Sequence, residues 1–319
     1  MELDNQLRRS AEALSGSNTY SGCSFLGPAE IVAFSASVEK HGCDQTFLAG
    51  IHEDVAGYLQ TIGVYESLWG IVDAKQRPNK GISYATLVKL GSLDAVNGAN
   101  NQLKSCINNN LPPDIPSFSK TALNHVIGEL HDNVWSHGHS TGFSMAQFYR
   151  GKQCIEFAVA DLGGGFLTVL QRAAVNARTH EDAIRWCLQE GNSSVKEQQK
   201  RNPVDDFAQS LPADYSGNPM GSAARCRNEN SHQGFGLAEL IKLVRNHHGE
   251  LEIASGDTLY TIDKTGRENY RKQGSWEWQG VIISCRLYLE GLRETPEHTE
   301  NNEVNQILNI ISGGFDYGE

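Results

Sequence analysis

Residues 154–166, CIEFAVADLGGGF, constrain the fold more than any other stretch of the chain. Ile155, Phe157 and Val159 alternate onto one face, the period-two pattern of a strand. The strand runs into Asp161, and three glycines follow. Glycines admit backbone angles closed to other residues and allow a backbone to approach a ligand closely. Asp161 at the strand end is placed to accept a hydrogen bond from an exocyclic amine. The stretch before it, FSMAQFYRG, reads as a second strand, paired with the first through a turn at Gly151 and Lys152. Asp and Gly are also ordinary turn residues, so this stretch needs support from elsewhere.

That support comes first from GELHDNVWSHG, residues 128–138. The spacing predicts a helix over roughly residues 118–138. On a wheel of 100° per residue, Asn133 lies about 40° from Glu129 and His137 about 80°. Leu123, Ile127, Leu130 and Val134 cluster beside them. The polar stripe therefore borders the core stripe instead of lying across from it. A carboxylate and an amide at the edge of a core suit a walled, partly dry pocket. They also suit an oxygen-loving cation such as Mg²⁺. The second support is HQGFGLAEL, residues 232–240, where glycines lead straight into a helix. Free N–H groups at a helix start form an anion site, assisted by the helix dipole.

The rest of the chain frames these elements. Residues 1–18 read as a polar tail or surface helix. Residues 19–112 read as a smaller α/β unit. In it, AEIVAFSASVEKHG and EDVAGYLQTIGVYESL form helices, the second ending near Gly63, and QTFLAG and ISYATLVKL form strands. NNNLPPDIPSFS reads as a linker. Residues 190–233 are a long polar loop. A helix running to Gly249 and the strands ELEIASG, TLYTID and VIISCRLYL complete a unit over 116–292, and 293–319 read as an acidic tail. With 319 residues, 39% hydrophobic and 20% charged, the chain matches a globular protein able to bury a core. Its net charge of −11 argues against a large nucleic-acid footprint. The first residues have no apolar core of the signal-peptide kind, and no apolar run is long enough to span a bilayer, so a cytoplasmic location with no membrane contact is expected. The seven cysteines are scattered without a CxxC and are expected to be reduced thiols. His137 with His139, and His247 with His248, lack the further ligands a zinc site needs.

In this order, ELHDN, DLGGG, and GFGL followed by HHGELEIASG resemble the ATP-binding domain shared by gyrase, heat-shock chaperones, histidine kinases and MutL-type repair proteins. This is the GHKL family, with its Bergerat ATP-binding fold, a two-layer α/β sandwich. The resemblance covers about residues 116–290. It implies ATP and Mg²⁺ as ligands. Asn133 would coordinate the metal, and Glu129 would polarise the attacking water or orient the metal shell. Asp161 would read the adenine amine, with Gly163 and Gly165 in the first glycine box. Gly234, Gly236 and Leu237 match the second box, where lid and helix close on the phosphates. His137 stands where relatives often carry Lys or His near the phosphates, although a surface or capping histidine is an equal alternative. EGNSSV, residues 190–195, is similar to the start of an ATP lid, and Lys196, Lys200, Arg201, Arg225 and Arg227 within it are candidates for the γ-phosphate. Residues 20–110 resemble a STAS-like domain, although the helix start GIHEDV lacks the regulatory hydroxyl of that type.

Three functions follow from the resemblance. The first is a slow ATPase whose lid closure switches contacts with the first domain or with a protein partner. The second is a protein kinase of the anti-sigma or histidine-kinase type acting on a separate partner; for histidine autophosphorylation IHED supplies a His–acid pair, but no paired heptads accompany it. The third is a nucleotide sensor without turnover. Family habit is compatible with a homodimer.

Overall fold

The computed structural model describes residues 3–14, 26–48, 51–72, 77, 79–138, 141–192 and 236–294. The chain is mixed α/β. Its centre is one seven-stranded sheet in the order β1-β2-β3-β7-β4-β5-β6. The strands are β1 (Tyr84–Lys89), β2 (Gly142–Tyr149), β3 (Cys154–Asp161), β4 (Glu250–Gly256), β5 (Thr258–Ile262), β6 (Glu268–Lys272) and β7 (Trp278–Tyr288). All neighbours pair antiparallel. The β2–β3 hairpin turns where the sequence predicts it, with Tyr149 opposite Cys154.

Period-two alternation puts a different apolar set on each face of the sheet. Ile155, Phe157, Val159, Ile253, Tyr260, Ile283 and Cys285 face one core. The helices over that core include α5 (Leu93–Asn110), α6 (Ser117–Gly138) and α9 (Gly236–Asn246). The predicted apolar stripe of α6 is there: Leu123, Ile127, Leu130 and Val134 are all buried. Phe143, Met145, Ala158, Ala160, Leu259 and Ile282 face the opposite way. A second apolar face must also be covered. The helices α1 (Leu3–Leu14), α2 (Pro28–His41), α3 (Glu53–Thr61) and α4 (Val64–Trp69) cover it. The sheet therefore carries helices on both faces, where a two-layer sandwich was expected.

The first part of the chain differs from a separate STAS-like unit. The strand ISYATLVKL is present as β1, but it pairs with β2 at the edge of the common sheet. QTFL does not form a strand; Gln45–Leu48 is a short 3-10 turn, and among the described residues no strand precedes the helix at GIHEDV. The second predicted helix, α3, ends near Gly63 as expected; Gly63 has a φ of 90°, which no helix admits, and the rest of the stretch, from Val64, forms the separate helix α4. The segment read as a linker is a tight connection between α5 and α6, with Ile115 buried in the core. Buried His131 ties α6 to both neighbours, through Asn100 Oδ1 at 2.7 Å and Ser144 Oγ at 2.6 Å. Burial pushes its imidazole down to about 3, so it is neutral. Of the tail or surface helix expected at the N-terminus, residues 3–14 form the helix, α1, and it is docked on the sheet. Leu3 and Leu7 of α1 are buried, the Leu3 N–H donates to Glu252 Oε2 at 3.0 Å, and Asp4 accepts from Trp276 Nε1 at 2.7 Å. Among the described residues no helix is long and apolar enough to cross a membrane.

Candidate functional site

A cleft of about 1040 Å³, open to solvent, lies on the α6 face of the sheet. Leu130, Asn133 and Val134 of α6 form one wall, and Val159 and Asp161 of β3 with Val281 and Ile283 of β7 form the floor. The helices α7 (Gly165–Arg172) and α8 (His180–Cys187) form the far wall with Phe166 and Trp186. Gly236 and Leu237 at the start of α9 close one end. The cleft thus brings together Asn133, Asp161, Gly163, Gly165, Gly236 and Leu237, which span more than a hundred residues of chain.

Asp161 is held by two backbone donors. The Gly163 N–H donates to Oδ1 at 2.7 Å, and the Val281 N–H donates to Oδ2 at 3.1 Å. These bonds favour the anion, but burial outweighs them and pushes the carboxyl up to about 6. Gly280 on β7 is packed so closely that a Cβ there would run into the Asp161 carbonyl oxygen. Gly165 has φ +70°, and a Cβ on it would stand 2.8 Å from the Gln279 carbonyl oxygen. Ser255 Oγ pins this corner, donating to Gly280 O at 3.0 Å and accepting from the Phe166 N–H at 3.3 Å. The first glycine run is therefore a compressed turn under β7, which a side chain at Gly165 would prise open.

Glu129 is not part of the cleft lining. It stands at the edge, where α9 crosses α6. A Cβ on Gly236 would stand 2.8 Å from the Glu129 Cβ and 3.7 Å from Asn133 Nδ2. One turn earlier on α6, His125 is partly buried against α9. Its Nδ1 meets Glu239 Oε2 of α9 at 2.9 Å, and its Nε2 lies 3.9 Å from Glu129 Oε1. The Glu239 hydrogen bond holds the His125 imidazole above its ordinary value, outweighing partial burial.

His137 is on the last turn of α6, and its side chain lies outside the described residues, as does Gly234. The lid residues Lys196, Lys200, Arg201, Arg225 and Arg227 lie outside them too. Several site residues escape sequence reasoning. Gly280, Val281 and Ser255 matter only because β7 and β4 pass beside Asp161. Trp186 and Cys187 reach the cleft from α8, whose start carries a Thr179–Asp182 capping box. That Thr-x-x-Asp signal is legible, but not the helix's place beside the cleft. Burial raises the Cys187 thiol to about 12, so it acts as a wall residue and not as a nucleophile. Comparison with protein-family models, with curated proteins and with solved structures finds no match.

Proposed function

We propose that this chain binds ATP with Mg²⁺ in the cleft, in a Bergerat-type arrangement, and hydrolyses it slowly as a switch that governs a protein partner in the cytoplasm. The observation that carries this reading is the convergence of Asn133, Asp161, Gly163, Gly165, Gly236 and Leu237 on one cleft. The apolar walls at Leu130, Val134, Phe166 and Ile283 suit the faces of a purine. The Asp161 carboxylate, anchored by two N–H groups, suits an exocyclic amine that donates. The start of α9 offers backbone N–H groups and the positive end of a helix dipole to phosphates.

Among the described residues no three His, Cys, Asp or Glu side chains gather into a metal centre. Asn133 lines the cleft, and a cation there would be held by its Oδ1 together with phosphate and water oxygens. Mg²⁺ accepts such a set because it keeps most of its waters. When bound, it would neutralise phosphate charge. Glu129 would accept the proton of the water attacking the terminal phosphate, giving ADP and inorganic phosphate. His125 would orient that carboxylate from the preceding turn.

Phosphate transfer to His52, the IHED histidine, has less support. His52 caps the nine-residue α3, which packs on the sheet face away from the cleft. ATP labelled on the γ-phosphate, incubated with the chain and Mg²⁺, separates the readings. Free labelled phosphate, lost in Glu129→Gln while binding persists, is the expected result. Label retained on the chain would replace the ATPase reading with a kinase. Unchanged ATP affinity in folded Asn133→Ala and Asp161→Ala would sink the site assignment.

A further inference from the structure

The seven-stranded sheet has two edges, and they are finished differently. The outer side of β1 is occupied: the Leu87 N–H donates to Ile62 O at 2.8 Å, and Leu87 O accepts from Ser67 Oγ at 2.8 Å. Beyond β6 no backbone partner lies among the described residues. The β5–β6 ladder decides which groups of β6 point outward. The Asp263 N–H donates to Arg267 O at 3.1 Å, and the Gln273 N–H donates to Asp257 O at 2.6 Å. Hydrogen-bonded pairs recur at every second residue of an antiparallel ladder. Asn269 and Arg271 therefore bond to β5, whereas Glu268, Tyr270 and Lys272 turn their N–H and C=O groups out. Asp263 Oδ1 pins the turn by accepting from the Thr265 and Arg267 N–H groups, so the edge is held in one shape. Proline and bulges, which blunt many edges, are absent from ENYRK and its register.

We propose that β6 is the seam of a homodimer, pairing antiparallel with β6 of a second copy about a twofold axis at Tyr270. Charged residues on an edge ordinarily discourage pairing, but this strand is its own complement. In the Tyr270-centred register, Glu268 of one copy stands opposite Lys272 of the other, at both ends of the seam. The same register matches outward backbone groups to outward groups, for about six interchain hydrogen bonds. Registers centred on Glu268 or Lys272 set like charges against each other and shorten the ladder. The flanking charges continue the pattern. Glu268 pairs with Arg245 of α9, and Lys272 Nζ lies 3.1 Å from Asp257 Oδ2. Across the seam the row therefore runs Arg245, Glu268, Lys272, Asp257, alternating in sign. Tyr270, on the axis, is braced by the Arg185 guanidinium 3.7 Å from its ring centroid and by the Tyr260 ring at 4.7 Å. A seam this short belongs to the weak, reversible class. It does not depend on what the cleft binds.

Sedimentation velocity of the full chain, over a range of concentrations, should show a monomer–dimer equilibrium in the micromolar range. Lys272→Pro removes an outward N–H and spares the β5 ladder, so it should weaken the dimer about tenfold. Glu268→Lys and Lys272→Glu each put like charges in opposition and should each weaken self-association about tenfold or more. Mixed together, the two reversed chains are complementary and should restore the dimer. If a reversal does not fold, Tyr270→Cys decides instead: on the axis its two Cα atoms stand about 5.5 Å apart, within reach of an interchain disulfide. A chain that stays monomeric at near-millimolar concentration would overturn the seam. A dimer that Lys272→Pro and both reversals leave unchanged would lie on another surface and would overturn it too. So would a monomer whose Glu268, Tyr270 and Lys272 amides resist hydrogen exchange, because another part of the same chain would then cover the edge.

Discussion

The backbone of Gly236 rests against Glu129 with room for a hydrogen and no more; a Cβ there would stand 2.8 Å from the Glu129 Cβ. The contact sets the distance between α6 and α9. The helix carrying the carboxylate and amide and the helix whose start faces the cleft are thus held at one spacing by a missing side chain.

Gly236→Ala should therefore open the α6–α9 contact. Overpacking of this kind costs about 1–3 kcal/mol. Nucleotide affinity should fall about tenfold or more, with far-UV circular dichroism unchanged. Calorimetric titration with Mg-ATP checks this, and undiminished affinity would show that the close approach does not shape the cleft.

Asp161 should leave a signature in pH. Its carboxyl is raised from 3.8 to about 6 in the folded chain. Between those values the native state holds a proton that the unfolded state has released. Stability therefore falls as pH rises from about 4 to about 6, by on the order of 2–3 kcal/mol, and is level above. Asp161→Asn should flatten that part of the profile. Adenosine, whose amine needs the ionised carboxylate, should bind more tightly as pH rises through about 6. Denaturant melts and adenosine titrations across this window are the measurements.

His125 and Glu239 predict a different dependence. The His125 pKa is raised above 6.5, so this pair holds α6 to α9 fully below 6.5 and loses its grip as pH rises through the higher, folded value. Glu239→Gln should bring the imidazole back down, read by its carbon-bound proton resonances. His125→Ala should slow ATP turnover about tenfold with little change in ATP affinity, because the ring approaches Glu129 and not the cleft lining. Equal losses of turnover and affinity would contradict this.

Ser255→Ala should remove the pin between β4, β7 and the first glycine turn. The Gly280 carbonyl and the Phe166 N–H both lose a partner, at about 1–3 kcal/mol for groups left unsatisfied. Thermal melting with and without ATP checks it. The stabilisation given by ATP should shrink along with the melting temperature.

The sequence was most readable where one local pattern decides the outcome. The α6 stripe, the β2–β3 hairpin and the strands β4, β5 and β7 each show their own period. It was least readable where a distant neighbour decides. QTFLAG has strand-forming residues, but Gln45–Leu48 coils into a 3-10 turn that buries Leu48 in the core under α2. ISYATLVKL looks like part of an independent unit because nothing local says that its partner is β2, more than fifty residues on. β6, Glu268–Lys272, lacks apolar alternation because it is an exposed edge, and it is recognisable only through its pairing with β5. α5 is rich in Asn and contains Gly98, so propensity argues against it, while buried Val96, Ala99, Leu103 and Ile107 hold it down. In the site, Asn133 and Asp161 announce themselves. Gly280 does not, because its meaning comes from the strand it lies beside.

β7 comes last of the seven strands along the chain, but it sits between β3 and β4 at the middle of the sheet. During synthesis, β3 and β4 must both wait with bare hydrogen-bonding edges until residues 278–288 leave the ribosome. Bare edges of this kind invite pairing with other chains. The Val281 N–H that anchors Asp161 arrives on the same late strand. A nascent chain therefore gains its cohesion and its cleft at one moment, and a product truncated ahead of β7 is a candidate for aggregation and not for partial activity.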